Sequence, residues 1–186
     1  MDIRALLMGL TFALIWSSAF TSARIIVADA SPLASLALRF FISGLIGVAI
    51  ARMMGQTWRL TKDQWRATII FGLCQNAIYL GLNFYAMQTV EASLASIIAS
   101  LMPLLVAVAG WIVFRDRLSP LGIIGLILGI GGVVLIMSAR IEAGVDMYGV
   151  ALCLVGTIAL TVATLSMRTM SAGGNLMMVG GLQMFV

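Results

Sequence analysis

The sequence predicts an all-α polytopic membrane protein, a bundle of transmembrane helices, and three observations carry that reading. Its 186 residues are 62% hydrophobic and only 10% charged, against about 45–50% apolar and about 25% charged in an ordinary soluble domain. The apolar residues gather in runs of about 20, the length that crosses a bilayer core. Nearly all charges fall between those runs or at their ends. A soluble domain of this length would lack the polar surface to cover itself, and disorder is excluded by the wealth of branched apolar residues.

The spans follow in order. The first is Ala5–Val27, the second Pro32–Met54, the third Arg66–Gln88, the fourth Ala92–Phe114, the fifth Pro120–Ser138 and the sixth Met147–Met167. A seventh begins near Leu176 and is cut off at Val186. Ser31-Pro32 and Ser119-Pro120 each set an N-cap serine before a proline suited to the first helical position. Thr61 with Gln64 has capping-box spacing at the entry to the third span, and residues 172–175 (AGGN) signal a turn before the seventh. The first span competes with a signal peptide. It is longer than an h-region, and its leading Asp2 and Arg4 give no net positive charge.

Composition also narrows the chemistry. The chain has no histidine, which removes histidine bases, Ser-His-Asp triads and histidine-ligated metals, so no catalytic, cofactor or metal residues are expected. Cys74 and Cys153 stand far apart in apolar runs and read as small buried residues. The formal charge of +4 is carried in short loops, which fits membrane orientation and not a nucleic-acid partner. With the N-terminus cytoplasmic, that side carries Arg4, Arg52, Arg59, Lys62, Arg66, Arg115, Arg117 and Arg168, and the other only Arg24 and Arg140. This positive-inside bias predicts a cytoplasmic N-terminus.

Polar residues inside the spans are the candidate site. No carboxylate lies mid-span: Asp29, Asp63, Glu91, Asp116, Glu142 and Asp146 all sit at span ends or in loops. Arg39 lies about 12 Å into the second span at 1.5 Å per residue. It either meets an anionic group of a solute or serves structurally, bonding backbone carbonyls or reaching the surface. Arg24 reads as a snorkelling anchor. Gln75, Tyr79 and Asn83 recur at i, i+4, i+8 on one face of the third span, with Asn76 beside them. Their amides must avoid lipid, so they face a neighbouring helix or a wet cavity.

Ser93, Ser96, Ser100 and Pro103 form a narrow stripe on the fourth span. It reads either as close packing or, with the proline breaking the backbone at membrane depth, as a solute path. Gly122, Gly125, Gly129 and Gly132 line one face of the fifth and predict close packing against another helix, within the fold or between protomers. Trp16, Ser17, Ser18, Thr21 and Ser22 make the first span polar in its middle and are expected to face inward, Trp16 as an aromatic wall.

The chain also matches itself. Residues 5–14 (ALLMGLTFAL) and 151–160 (ALCLVGTIAL) agree at five of ten positions at an offset of 146; chance in a chain so rich in Ala and Leu is the competing reading. Five spans separate the two copies, so the second has opposite topology, the inverted-repeat pattern of secondary transporters. Two complete copies need about 290 residues on that logic. The expected division is a first repeat over 1–139 and the start of a second over 147–186.

The order and spacing of these features resemble the EamA-type permeases of the drug/metabolite transporter superfamily. The matching residues are 16–20 (WSSAF) with Arg24, Pro32, Leu38-Arg39-Phe40, Tyr85-Ala86, 92–98 (ASLASII), 101–104 (LMPL), and Asp116-Arg117-Leu118-Ser119 before Gly122. Asp116 stands where the family usually has glutamate, and Glu91 where a small residue is more usual. The resemblance implies a five-helix inverted-repeat transporter fold, ten helices if complete, with six and a partial seventh in this chain. It also implies a location in the plasma (bacterial inner) membrane. It further implies a permease that exports a small metabolite, such as an amino acid or related compound, by alternating access.

The expected partners are a small-molecule solute and the lipid bilayer, with a homodimer possible if the 186-residue chain is the whole product. The residues expected on the path are Trp16, Arg39, Gln75, Tyr79, Asn83, Ser96 and Pro103. The competing function is a non-transporting membrane scaffold or assembly partner packed through the glycine face of helix five.

Overall fold

A computed structural model of the chain describes residues 3–168 and 175–186. Among them all regular structure is helical, and six helices have the length and apolarity to cross a membrane. These are α1 (Ile3–Asp29), α2 (Pro32–Met53), α3 (Lys62–Ala86), α4 (Ala92–Phe114), α5 (Pro120–Glu142) and α6 (Met147–Arg168). A short α7 (Leu176–Gln183) follows. The expected spans all form, with ends shifted by a few residues. Of the predicted 172–175 turn, residues 172–174 lie outside the described residues.

Local chemistry sets most helix ends. At α3 both halves of the capping box form: Thr61 Oγ1 accepts from Gln64 N–H, and Gln64 Oε1 accepts from Thr61 N–H at 2.9 Å. Ser119 Oγ accepts from Gly122 N–H at 3.1 Å and starts α5. Ser31 departs from expectation and makes no side-chain cap bond, so Pro32 alone marks that start. Gly55, at φ +75°, turns the chain out of α2 in the left-handed conformation that glycine adopts without strain. Asp146 Oδ1 accepts from Tyr148 N–H at 3.0 Å, opening α6.

Two spans depart from regular α winding. Gly72–Leu80 of α3 is π-helical. The backbone of α4 breaks at Ser100–Leu101, just before Pro103, which has no N–H to continue the ladder.

Helix α6 is the hub, packed along α3 and against both halves of α4. Its buried face is rich in small residues (Gly149, Gly156, Ala159 and Ala163, beside Val150 and Leu160), which let backbones approach where no hydrophobic force drives helices together in lipid. Likewise α2 meets α7 through glycines: a Cβ on Gly181 would come within 2.8 Å of Val48 N. Helices α1, α2 and α5 turn large apolar side chains outward, among them Leu14, Phe41 and Leu128. No residue of α5 is buried. The close packing expected of its glycine face is therefore not found within the described residues. Gly125 and Gly132 face open space, and only Gly129 meets another helix, at Leu104.

The contacts sort the helix ends onto two faces. On the N-terminal face, Thr57 N–H donates to Asn175 Oδ1 (3.2 Å) and Met178 N–H to Gln56 Oε1 (2.9 Å). On the opposite face, Thr89 Oγ1 donates to Asp146 Oδ2 at 2.5 Å, which holds that carboxyl below its ordinary value. Arg140 pairs there with Glu91 at 3.3 Å.

Candidate functional site

Helices α1, α2 and α3 enclose a cavity of about 200 Å³. Five of the seven residues expected on the path line it: Trp16 from α1, Arg39 from α2, and Gln75, Tyr79 and Asn83 from α3. The convergence follows from winding. An i+8 residue on a pure α-helix has drifted about 80° round the axis. The wider turn of the π stretch, which carries Gln75 and Tyr79, lags behind α winding and offsets that drift before Asn83. The three side chains therefore reach the same cavity.

Asn83 is held from two directions. Its Nδ2 donates to Tyr79 O at 2.8 Å. Because a carbonyl only accepts, this fixes which way the amide points. Behind it lies Gly156 of α6, where a Cβ would come within 2.8 Å of Asn83 Nδ2, so glycine is what admits the amide. Asn83 Oδ1 is buried and has no hydrogen-bond partner among the described residues. A buried acceptor left unpaired costs about 1–3 kcal/mol.

Tyr79 and Asn83 are buried, Gln75 and Trp16 half-buried, and Arg39 exposed along the cavity wall. Arg39 has no ion-pair or hydrogen-bond partner among the described residues, and no carboxylate lines the cavity. The rest of the wall is Phe12, Phe20, Phe84 and aliphatic side chains, with the Phe12 and Trp16 rings 5.6 Å apart. An aromatic box with one unpaired guanidinium and two amides suits a solute with an apolar body and an anionic group.

Two residues expected on the path are elsewhere. Ser96 donates its hydroxyl to Ser93 O at 2.7 Å within its own helix, and Pro103 stands exposed at the α4 break. Neither lines this cavity. On α1 the expectation also divides. Trp16 faces the cavity, but Ser17, Ser18, Thr21 and Ser22 point outward, and three of their hydroxyls are satisfied on their own helix.

Arg24 is an inter-helix tie where a snorkelling anchor was expected, donating to Met87 O at the end of α3. Asn76 turns away to α7, where its Nδ2 donates to Gln183 O at 2.6 Å. Of the aromatic walls Trp16 was expected, whereas Phe12, Phe20 and Phe84 were missed, yet Phe12, Trp16 and Phe20 repeat the i, i+4, i+8 spacing of Gln75, Tyr79 and Asn83.

Two larger clefts are less polar or lie at the rim. One of about 400 Å³ between α2, α3 and α7 has Asn76 as its lone polar side chain. One of about 470 Å³ opens between the ends of α3, α4 and α6 beside Asp63, Arg66 and Ser166. Neither gathers the mid-span polar groups that the first cavity does.

The EamA-like transporter family model matches residues 3–138. The chain belongs to that family, and with its six membrane-capable helices it is an integral membrane protein. It is 26% identical over 155 residues to the uncharacterized transporter YvbV of Bacillus subtilis, covering 83% of this chain and 50% of that one. It is 28% identical to an uncharacterized transporter of Archaeoglobus fulgidus, covering 80% and 52%. It is 27% identical to the aromatic amino acid exporter YddG of Ancylobacter novellus, covering 73% and 47%. The chain thus spans about half the length of the curated relatives it matches. No solved structure matches it.

Proposed function

We propose that the chain carries the solute site of a permease for a small amphipathic metabolite with an anionic group, such as an amino acid or a related compound. The observation that carries this reading is the convergence of Trp16, Arg39, Gln75, Tyr79 and Asn83 on one cavity. Arg39 takes the anionic group, the aromatic walls take the apolar body, and the amides of Gln75 and Asn83 set orientation. The kinship with an aromatic amino acid exporter supports the same chemistry. In this reading residues 1–139 form one five-helix repeat and 147–186 open an inverted second. The two rock about the cavity in alternating access, exporting solute across a bacterial inner membrane from a cytoplasmic N-terminal side.

Counterflow of labelled phenylalanine and tryptophan in proteoliposomes tests this. Arg39→Ala, inserted at wild-type level, is expected to lose flux about tenfold or more, as the loss of a charged hydrogen-bond partner implies, and Arg39→Lys to keep part of it. Unchanged flux in both Arg39→Ala and Gln75→Ala removes these residues from the path. The scaffold reading draws on the unpacked glycine face of α5. It requires a stable complex built on that face and no solute flux.

A further inference from the structure

The end of α4 and the end of α6 meet on the N-terminal face in a cluster of four groups that the solute cavity does not use. After Phe114 the chain takes a left-handed turn at Arg115, φ 56°, a conformation that costs a non-glycine residue energy. That turn folds Asp116 back over the last turn of α4, where its N–H donates to Gly110 O at 3.2 Å. Asp116 Oδ2 then accepts from Arg168 Nη1, on the last turn of α6, at 2.7 Å. The Arg168 guanidinium also stands 5.0 Å over the Phe114 ring. Gly110 is the seat of the cluster: a Cβ there would come within 2.8 Å of Asp116 Oδ2 and 3.3 Å of Arg168 Nη1.

Place and strength give the cluster its meaning. Phe114 is also a wall of the rim cleft between α3, α4 and α6, so the pair staples two of that cleft's three helices together. Helix α6 in turn backs the cavity wall, because its Gly156 holds Asn83 and Tyr79 in place. A shift of α6 away from α4 at this face would open the cleft and move that wall. Both partners are partly exposed, with side chains at 45% and 41%, so the bond is one that water can replace.

We propose that the Asp116–Arg168 pair, seated on Gly110 and Phe114, is a releasable latch that holds the N-terminal face of the solute path closed. This rests on the permease reading above, since a latch needs a path to close.

Side-resolved thiol labelling tests it. In a chain whose Cys74 and Cys153 are replaced by alanine, Ala19→Cys puts one thiol on the cavity wall. Its reaction with a membrane-impermeant methanethiosulfonate is timed from each face in inside-out and right-side-out vesicles. Asp116→Asn and Gly110→Ala are each expected to speed labelling from the N-terminal face about two- to fivefold, the population shift a partly exposed pair supports, and to slow it from the other face.

The double variant goes no further than either single one, because both break one contact. Arg117→Gln, removing the neighbouring exposed charge, keeps the parent rates. Parent rates in Asp116→Asn, on protein that melts at the parent temperature, overturn the latch, as does an equal shift in Arg117→Gln. Should Gly110→Ala not insert, Asp116→Asn decides alone. Labelling needs no solute, so the two readings fail separately. Flux with unshifted labelling sinks the latch alone, and shifted labelling without flux sinks the permease reading.

Discussion

Asn83 shows how a residue can be costly to the fold and still be the right one for a site. Its amide is pinned by Tyr79 O and Gly156, and its Oδ1 is buried without a partner. Asn83→Leu removes a hydrogen bond contributing about 1 kcal/mol, and with it an orphan acceptor costing about 1–3 kcal/mol. Leucine keeps the branching but has bulkier methyl ends, and overpacking costs about 1–3 kcal/mol, which offsets the relieved acceptor. Stability in a detergent unfolding titration is therefore expected to change by about 2 kcal/mol or less, whereas flux falls tenfold or more. A large stability loss with intact flux would show that the amide serves packing alone. Asn83, Gln75 and Tyr79 were legible in the sequence because amides cannot face lipid and their spacing put them together. Ser96 was not, since a serine bonded to its own helix carries the same letter as one lining a path.

Elements were legible in existence and length, and less so in winding and partners. Runs of apolar residues and the Thr61–Gln64 box placed six spans correctly. Nothing in the hydropathy of Gly72–Leu80 announces a π-helix, because π winding is decided by what packs on it. A Cβ at Gly72 would lie 2.8 Å from Gln183 O on α7. For a related reason the glycine pattern did not say which partner it packs on, since spacing marks a smooth face but not what touches it.

The four-glycine stripe of α5 is largely open, whereas Gly47 and Gly181, with no motif between them, bring two backbones together. Gly181→Ala forces a Cβ against Val48 N and is expected to cost about 1–3 kcal/mol. Gly132→Ala meets open space and is expected to be neutral or stabilising by up to about 1 kcal/mol. Unfolding titrations of the two variants check the ordering. The reverse order would place an unseen partner on α5.

At the scale of the whole molecule, the sequence carries a membrane orientation that the packing sorts into faces but does not name. Contacts put residues 56 and 57 beside 175 and 178 on one face, with Asp116 beside Arg168. Arg24 with Met87, Thr89 with Asp146, and Arg140 with Glu91 occupy the other. This grouping is the one that separated eight Lys and Arg residues from two.

The charges act during insertion, through the number of Lys and Arg in short loops, so later pairing of Arg140 or Arg168 does not weaken the argument. The N-terminal face should therefore be cytoplasmic. In the cysteine-free background, Ala143→Cys is expected to react with an impermeant maleimide on intact cells. Trp58→Cys, exposed on the N-terminal face, should react only after permeabilisation. The opposite pattern would invert the orientation. The face that the Asp116–Arg168 pair closes would then be the outer one, and the path would stand open to the cytoplasm, as an importer's does after release.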